Sequence, residues 1–321
     1  MTKCLITGAA GFIGYHLASE IAKDPQNQVI CVDNFSRGEN DKAYRELCSK
    51  GNVLGLEVDL SDQNQYRKLP DDVDFIYHMA ALNGTQNFYE RPMEVLKSCT
   101  LPTIFLLEHY SGNANNIKRF IYAGTSESYA STVSVFNWDI PTDETVPLSI
   151  DDPSNPRWSY AASKIHGEVA TLIAGRHAGL STTIIRFHNV YGPRMGDKHV
   201  IPDFYMRAKR GVFELYGHEN TRSFLYIDDA VRAVLELAHL PRAHNEIVNV
   251  GSDRELTMLE LAESMMNVIG KEGEIMLHGA PKGSVVRRVP NLEKITELIS
   301  FQPKIDLMSG LRMTADYYWK D

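Results

Sequence analysis

Through the first half of the chain, short β-branched and aliphatic runs alternate with longer stretches of helical spacing. Residues 3–7, 29–33, 53–58, 75–77, 119–123 and 182–186 have the length and composition of buried strands, with helical stretches between them. That alternation predicts an α/β fold, a doubly wound parallel sheet of the Rossmann type. Past residue 187 the pattern loosens into loops and short elements punctuated by Gly192-Pro193, Ile201-Pro202-Asp203, Pro241, Pro281-Lys282-Gly283 and Pro290. Helical periodicity returns at 227–240, 256–269, 292–298 and 307–319, and no segment recurs at a fixed period. A length of 321 residues suits two lobes. The expected division is a larger domain over 1–187 and a smaller α/β lobe mainly over 188–321, interleaved with the first because no flexible linker separates them.

Sheets of this kind bind ligands beyond the carboxyl ends of their strands. The unusual residues of this chain collect there: Thr7 and Gly8, Asp33, Asp59, His78, Ala80 and Ala81, Thr125, Ser126 and Glu127, and His188 with Asn189. The first run leads straight into Thr7-Gly8-Ala9-Ala10-Gly11-Phe12-Ile13-Gly14. Glycine is needed where the chain turns sharply out of a strand, where backbone approaches a pyrophosphate, and where the next helix packs on the strand it left. The helix starting there aims unpaired N–H groups and a positive dipole end at the phosphates. Asp33 closes the second run at the separation expected for a carboxylate that accepts hydrogen bonds from the adenosine ribose. It repels a 2′-phosphate and so favours NAD over NADP. Arg37 is read as a solvated loop residue, its other use being to neutralise such a phosphate. Residues 1–187 are accordingly expected to bind NAD.

Composition removes several classes. The formal charge is −8 and no Lys/Arg stripe interleaves with aromatics, so a nucleic-acid surface has no support. No apolar run approaches ~18 residues and no cationic leader precedes the first strand, so a cytoplasmic protein without a membrane partner is expected. Cys4, Cys31, Cys48 and Cys99 are scattered and read as small buried residues or free thiols. The 11 histidines offer no ligand pair on a plausible helix or strand, so no metal is expected. His78 and His188 are read as structural hydrogen-bonding residues, Met258, Met265 and Met266 as core, and Asp71-Asp72 as a solvated turn.

Tyr160 and Lys164, four apart at the start of a helical stretch, project from one face. A phenol titrates near 10, so a base at neutral pH needs a shift of roughly 3 units, or about 4 kcal/mol. A nearby ammonium and a nicotinamide cation could together supply it.

These residues, in this order, resemble an extended short-chain dehydrogenase/reductase of the branch that modifies nucleotide sugars. The likeness runs over nearly the whole chain: the glycine fingerprint, Asp33-Asn34-Phe35, Asp59-Leu60, His78-Met79-Ala80-Ala81, Thr125-Ser126-Glu127, Tyr160 with Lys164, Asn189-Val190-Tyr191-Gly192-Pro193-Arg194 and Thr221-Arg222-Ser223-Phe224. The resemblance implies that Gly8, Gly11, Phe12, Ile13, Gly14, Asp33, Asn34, Asp59, Leu60, Ala80 and Ala81 bind NAD, with Tyr160 and Lys164. It further implies that Thr125 positions a sugar 4-hydroxyl, Tyr160 takes its proton, and Lys164 also holds the nicotinamide ribose. The product of that step is a 4-keto sugar, whose acidified C5 proton a carboxylate could remove.

Glu127 is the candidate carboxylate. Thr125-Ser126-Glu127 resembles the triplet of GDP-mannose 4,6-dehydratases and UDP-glucuronate decarboxylases, and departs from the Thr-Asp-Glu of dTDP-glucose dehydratases, so Ser126 would have to relay the proton. For a nucleotide-diphosphate sugar, guanidinium forks suit the phosphates. Arg222 is the best candidate, Arg288 the next, with Arg194 and Arg287 weaker; Asn189 would fix phosphate or sugar, and the Val200-Ile201-Pro202 stretch would close over the base. Around 131–138 and 81–89 the chain departs from the family pattern. The endpoint stays open between dehydration, decarboxylation, epimerisation and net 4-oxidation, with a silent NAD-binding sensor as the rival. A homodimer through 93–110 and 161–177, and a role in polysaccharide biosynthesis, are what the family leads one to expect.

Overall fold

Strands form at all six β-branched runs: β1 (Thr2–Thr7), β2 (Asn27–Asp33), β3 (Val53–Glu57), β4 (Phe75–His78), β5 (Arg119–Thr125) and β6 (Thr182–Phe187). The computed structural model describes residues 1–112, 114–280 and 285–319; Pro281-Lys282-Gly283, expected as punctuation, lies outside the described residues. In the sheet the strands run β6-β5-β4-β1-β2-β3, and a seventh strand, Glu246–Val250, flanks β6 at the edge. β1 pairs in parallel with β2 and with β4, β2 with β3, and β4 with β5. This is the doubly wound order, whose reversal beside β1 opens a crevice at the strand carboxyl ends.

Six helices follow in the chain order of this half: α1 (Phe12–Ile21), α2 (Lys42–Cys48), α3 (Thr85–Glu90), α4 (Pro92–Ser111), α5 (Ala130–Phe136) and α6 (Trp158–Ala178). α1 buries Gly14, Leu17, Ala18 and Ile21, one stripe at helical spacing. Asp41 caps α2 by accepting from the Tyr44 backbone N–H at 2.8 Å. On one side of the sheet Leu5, Ile30, Ile76, Phe120 and Ile184 form a buried core with Leu106, Leu107 and Tyr110 of α4. Each such aliphatic side chain contributes about 1.5–3 kcal/mol when fully buried.

The chain divides into two units. The first comprises Met1–Ser128, Asp152–Arg186 and Val231–Val248; the second comprises Tyr129–Asp151, Phe187–Ala230 and Asn249–Asp321. The second unit therefore takes in the segment before α6, while residues 231–248 return to the first. In the second unit Thr221–Ser223 pairs antiparallel with Glu255–Thr257 and parallel with Arg287–Arg288, and Glu214–Tyr216 pairs with Met276–His278. Its helix Met258–Ile269 opens on a capping box between Thr257 and Glu260, and buries Met258, Met265 and Met266. The segment 131–138 contains most of α5, tied down by Ser131 to Asp151 and Thr132 to Pro147. Among the described residues no helix is long and apolar enough to cross a membrane.

Candidate active site

At the carboxyl end of β1 the glycine turn is shaped by what a side chain would strike. A Cβ on Gly14 would stand 2.2 Å from the Gly8 carbonyl oxygen, and one on Gly8, at φ +67°, would stand 2.9 Å from the Ala80 backbone. Gly11 caps α1 without a side-chain hydrogen bond, which leaves the capping role at the first-turn N–H groups unfilled by the N-cap residue. Asp33 ends β2 buried, accepting from the Ala10 N–H at 2.9 Å and the Phe35 N–H at 2.8 Å. Burial raises its pKa, and those backbone bonds oppose the rise. Asn34 and Asp59 accept from the N–H groups of Ser36 and Ser61, and Leu60 is buried. Ala80 donates its N–H to the Thr7 hydroxyl, which also bonds His78 Nδ1 at 2.8 Å; His78 Nε2 reaches Thr103 at 2.9 Å. His78 is thus structural, as expected, and it fixes the ends of β1 and β4. Ala81 follows Ala80 at the same edge.

Tyr160 and Lys164 do meet on one face of α6, 8% and 2% exposed. The Tyr160 ring stacks on Phe88 of α3 at 5.2 Å and 12°. Lys164 Nζ donates to the Ala123 carbonyl at 2.8 Å and lies 4.9 Å from the Tyr122 ring and 5.8 Å from the Tyr160 ring. α6 is locked to β6 by a forked pair, Arg186 to Glu168, with both side chains 2% exposed. Thr125 and Ser126 are buried at the end of β5, and Glu127, half-buried, stands in the single turn that follows.

Burial pushes the Tyr160 hydroxyl up and the Lys164 ammonium down. The cation that draws Tyr160 back is Arg37, helped by a hydrogen bond from the Asn83 side chain, while Cys99 and Glu127 act the other way. Lys164 Nζ, turned to the Ala123 carbonyl, still lies over the Tyr160 ring. Arg37 is an exposed residue of the loop after β2, as expected, and its charge acts on Tyr160 and Cys99. A further cation went unread in the sequence. Arg157 opens α6, lies over Trp158 at 5.7 Å, and sits 3.7 Å from Glu127. Only its place three residues before Tyr160 could have flagged it.

The second unit gathers its own polar set. Arg222 and Arg288 are register partners on neighbouring strands, so both start from one face. Arg222 donates to the carbonyls of Thr221, Val285 and Val286, and Arg288 is buried. Asn189 donates to the Ser223 carbonyl at 3.0 Å. Arg194 adopts φ +66°, and Val200 starts the helix Val200–Lys209. Arg287 is held by Glu255 in a two-pronged pair at 2.7 and 2.8 Å. His188, fully buried, bonds the Tyr129 hydroxyl at 2.5 Å and is structural. Among the described residues no cluster of three His, Cys, Asp or Glu could hold a metal ion.

The sequence pattern of the NAD dependent epimerase/dehydratase family matches residues 4–251. The chain belongs to that family. Within it, the chain is 32% identical to the UDP-N-acetyl-alpha-D-glucosaminuronate decarboxylase of Bacillus cytotoxicus, over 98% of this chain and 97% of that protein. It is similar to the UDP-glucose 4-epimerase of Thermotoga maritima solved with UDP-glucose, at TM-score 0.85 and 28% identity, covering 99% of each chain. It is also similar to a dTDP-glucose 4,6-dehydratase of Streptomyces venezuelae solved with NAD bound, at TM-score 0.85 and 26% identity, over 99% of this chain and 97% of that one. An epimerase/dehydratase of this family is an enzyme whose cofactor is NAD. The residues present fit that cofactor: a glycine turn that leaves no room for a Cβ, a first helical turn without a capping side chain, and a buried acid ending β2.

Proposed function

We propose that this epimerase/dehydratase acts on a uridine-diphosphate-linked uronic acid, oxidising C4 and then releasing the carboxyl group as carbon dioxide. The observation that carries the reading is one cluster in the first unit: Tyr160 under the influence of Arg37, Asn83 and Glu127, with Arg157 against Glu127. A neutral sugar has no need of that extra guanidinium, whereas a sugar carboxylate does. Likeness to the glucosaminuronate decarboxylase supports the same choice.

Bound NAD supplies the hydride acceptor. Gly8, Gly11, Phe12, Ile13 and Gly14 hold its pyrophosphate, Asp33 and Asn34 its adenosine ribose, Asp59 and Leu60 its adenine, and Ala80, Ala81 and Lys164 its nicotinamide end. Thr125 positions the C4 hydroxyl and Tyr160 takes its proton. The resulting ketone lies β to the C6 carboxylate. The C5–C6 bond then breaks, carbon dioxide leaves, and the bonding electrons pass into the C4 carbonyl as an enolate, which Glu127 and Ser126 protonate at C5; C4 then takes back its hydride and Tyr160 returns the proton to the C4 oxygen, so the sugar has lost carbon dioxide alone. Asn189, Arg194, Arg222 and Arg288 grip the diphosphate, with Val200 near the base.

Product mass after incubation with UDP-glucuronate, UDP-N-acetylglucosaminuronate and UDP-glucose tests this. Loss of carbon dioxide from a uronate alone is expected. Loss of water from the neutral sugar would assign a dehydratase; an unchanged mass with inverted C4, an epimerase; loss of two hydrogens only, a 4-dehydrogenase. Retained NAD without turnover of any sugar would leave the sensor.

The same reading places the enzyme in the cytoplasm, in keeping with four unpaired cysteines, and gives it a second copy as partner. Val169 and Ile173, four apart on α6, are 51% and 53% exposed, and Met93 on α4 is 62% exposed. An apolar stripe of that kind suits burial against itself in a two-fold dimer. Sedimentation equilibrium should give twice the chain mass, and Val169→Asp with Ile173→Asp should give the monomer.

A further inference from the structure

Two thiols meet beneath the connection between β2 and α2, apart from every residue given a role above. Cys31 of β2 is fully buried and pairs in register with Gly55 of β3, so its side chain and the vacant side-chain position of Gly55 share one face of the sheet. Cys48 ends α2, half-buried, with its Sγ 3.0 Å from where a Gly55 Cβ would project. Any larger residue at 55 would push the sulfur away. Glycine lets it lie on the face from which the Cys31 side chain projects. The Tyr44 hydroxyl, 3.8 Å from the same point, closes the third side. The neighbouring Cys31 draws the Cys48 thiol down and is itself pushed up, whereas burial raises both Cys4 and Cys99.

We propose that Cys48 and Cys31 form a hydroperoxide-responsive dithiol, Cys48 as the attacking thiolate and Cys31 as its resolving partner. The Cys48 sulfur attacks the O–O bond of the hydroperoxide, becoming a sulfenic acid and expelling an oxyanion that takes up the proton Cys48 lost. The Cys31 sulfur then displaces the sulfenic hydroxyl, which leaves as water with the Cys31 proton. The two thiols give up two electrons and two protons, and the peroxide takes both. Closing the S–S bond draws the end of α2 toward β2. Tyr44 moves with it, and Phe35 rests edge-on against Tyr44 at 5.6 Å while donating its N–H to Asp33. On the reading that Asp33 holds the adenosine ribose, the oxidised enzyme binds NAD at least fivefold more weakly.

The full-length enzyme is treated with equimolar hydrogen peroxide, alkylated, and digested with trypsin without reduction. Expected is peptide 24–37 joined to peptide 46–50, lighter by two hydrogens than the separate thiol peptides and released by dithiothreitol. Cys48→Ser removes the joined species, and Cys31→Ser leaves a sulfenic acid at Cys48 that dimedone traps. Oxidation of Cys4 or Cys99 as fast as Cys48, or over-oxidation of Cys48 as fast in the wild type as in Cys31→Ser, overturns the dithiol. Those arms do not depend on the cofactor assignment. NAD titration of the oxidised and dithiothreitol-treated enzyme tests the coupling: equal affinities overturn it while the dithiol stands.

Discussion

Tyr160 is the side chain on which the proposed chemistry turns, and its surroundings explain why it needs help. A phenol surrounded by the Phe88 ring and buried backbone keeps its proton, so the cations and amide donors facing it decide how readily it gives that proton up. Tyr160→Phe removes the acid–base group and leaves the stacking. Its kcat is expected to fall by roughly 10²–10⁴ while NAD affinity, read by fluorescence titration, stays within about twofold. Undiminished turnover would remove Tyr160 from the mechanism. Spacing made Tyr160, Lys164 and the triplet at 125–127 readable from the sequence, because their separations and order are themselves the signal. Arg157 and Asn83 carried no such mark. An arginine before a helix and an asparagine in a loop are ordinary until the fold turns one toward Glu127 and the other toward Tyr160.

The elements that hold these side chains make two measurable demands. His78 ties β1 to α4 through Thr7 and Thr103, and burial, aided by the Lys164 charge, lowers its pKa to about 3. Its folded value lies below the unfolded one near 6.5, so its contribution is fully present above that pH. Below it the unfolded chain takes up a proton that the folded chain refuses. Stability should therefore fall by about 1.4 kcal/mol per pH unit from pH 6.5 toward 3, seen as a falling urea midpoint whose slope is reduced in His78→Gln. Glu168→Gln leaves Arg186 charged and buried beside α6. A loss of about 3–5 kcal/mol is expected, measured by urea unfolding, and the Tyr160 helix should lose activity with it. At this scale β-branched runs placed the first six strands within two residues of where they stand. Glu246–Val250 was missed because a lone five-residue strand amid loops looks like any other apolar stretch, and only the exposed edge of β6 gives it a reason to form.

At the scale of the molecule, the sequence led to a boundary near 187 with interleaved lobes, and the chain crosses between its units five times. Those crossings are invisible locally, since nothing in the composition of 129–151 or 231–248 records which unit they join. That interleaving has a consequence for synthesis. A ribosome delivers β1 to β6 early, yet the strand that covers the edge of β6 emerges only after all of 187–245 has been made. Until then the nascent sheet carries a bare row of N–H and C=O groups. A chain stopped at residue 230 should therefore accumulate as aggregates in a size-exclusion assay, where the full chain elutes as a discrete species. A well-behaved 1–230 fragment would show that the sheet does not need its late strand. Guarding the growing chain then becomes a task for whatever accompanies it out of the exit tunnel, set by the order in which its parts arrive.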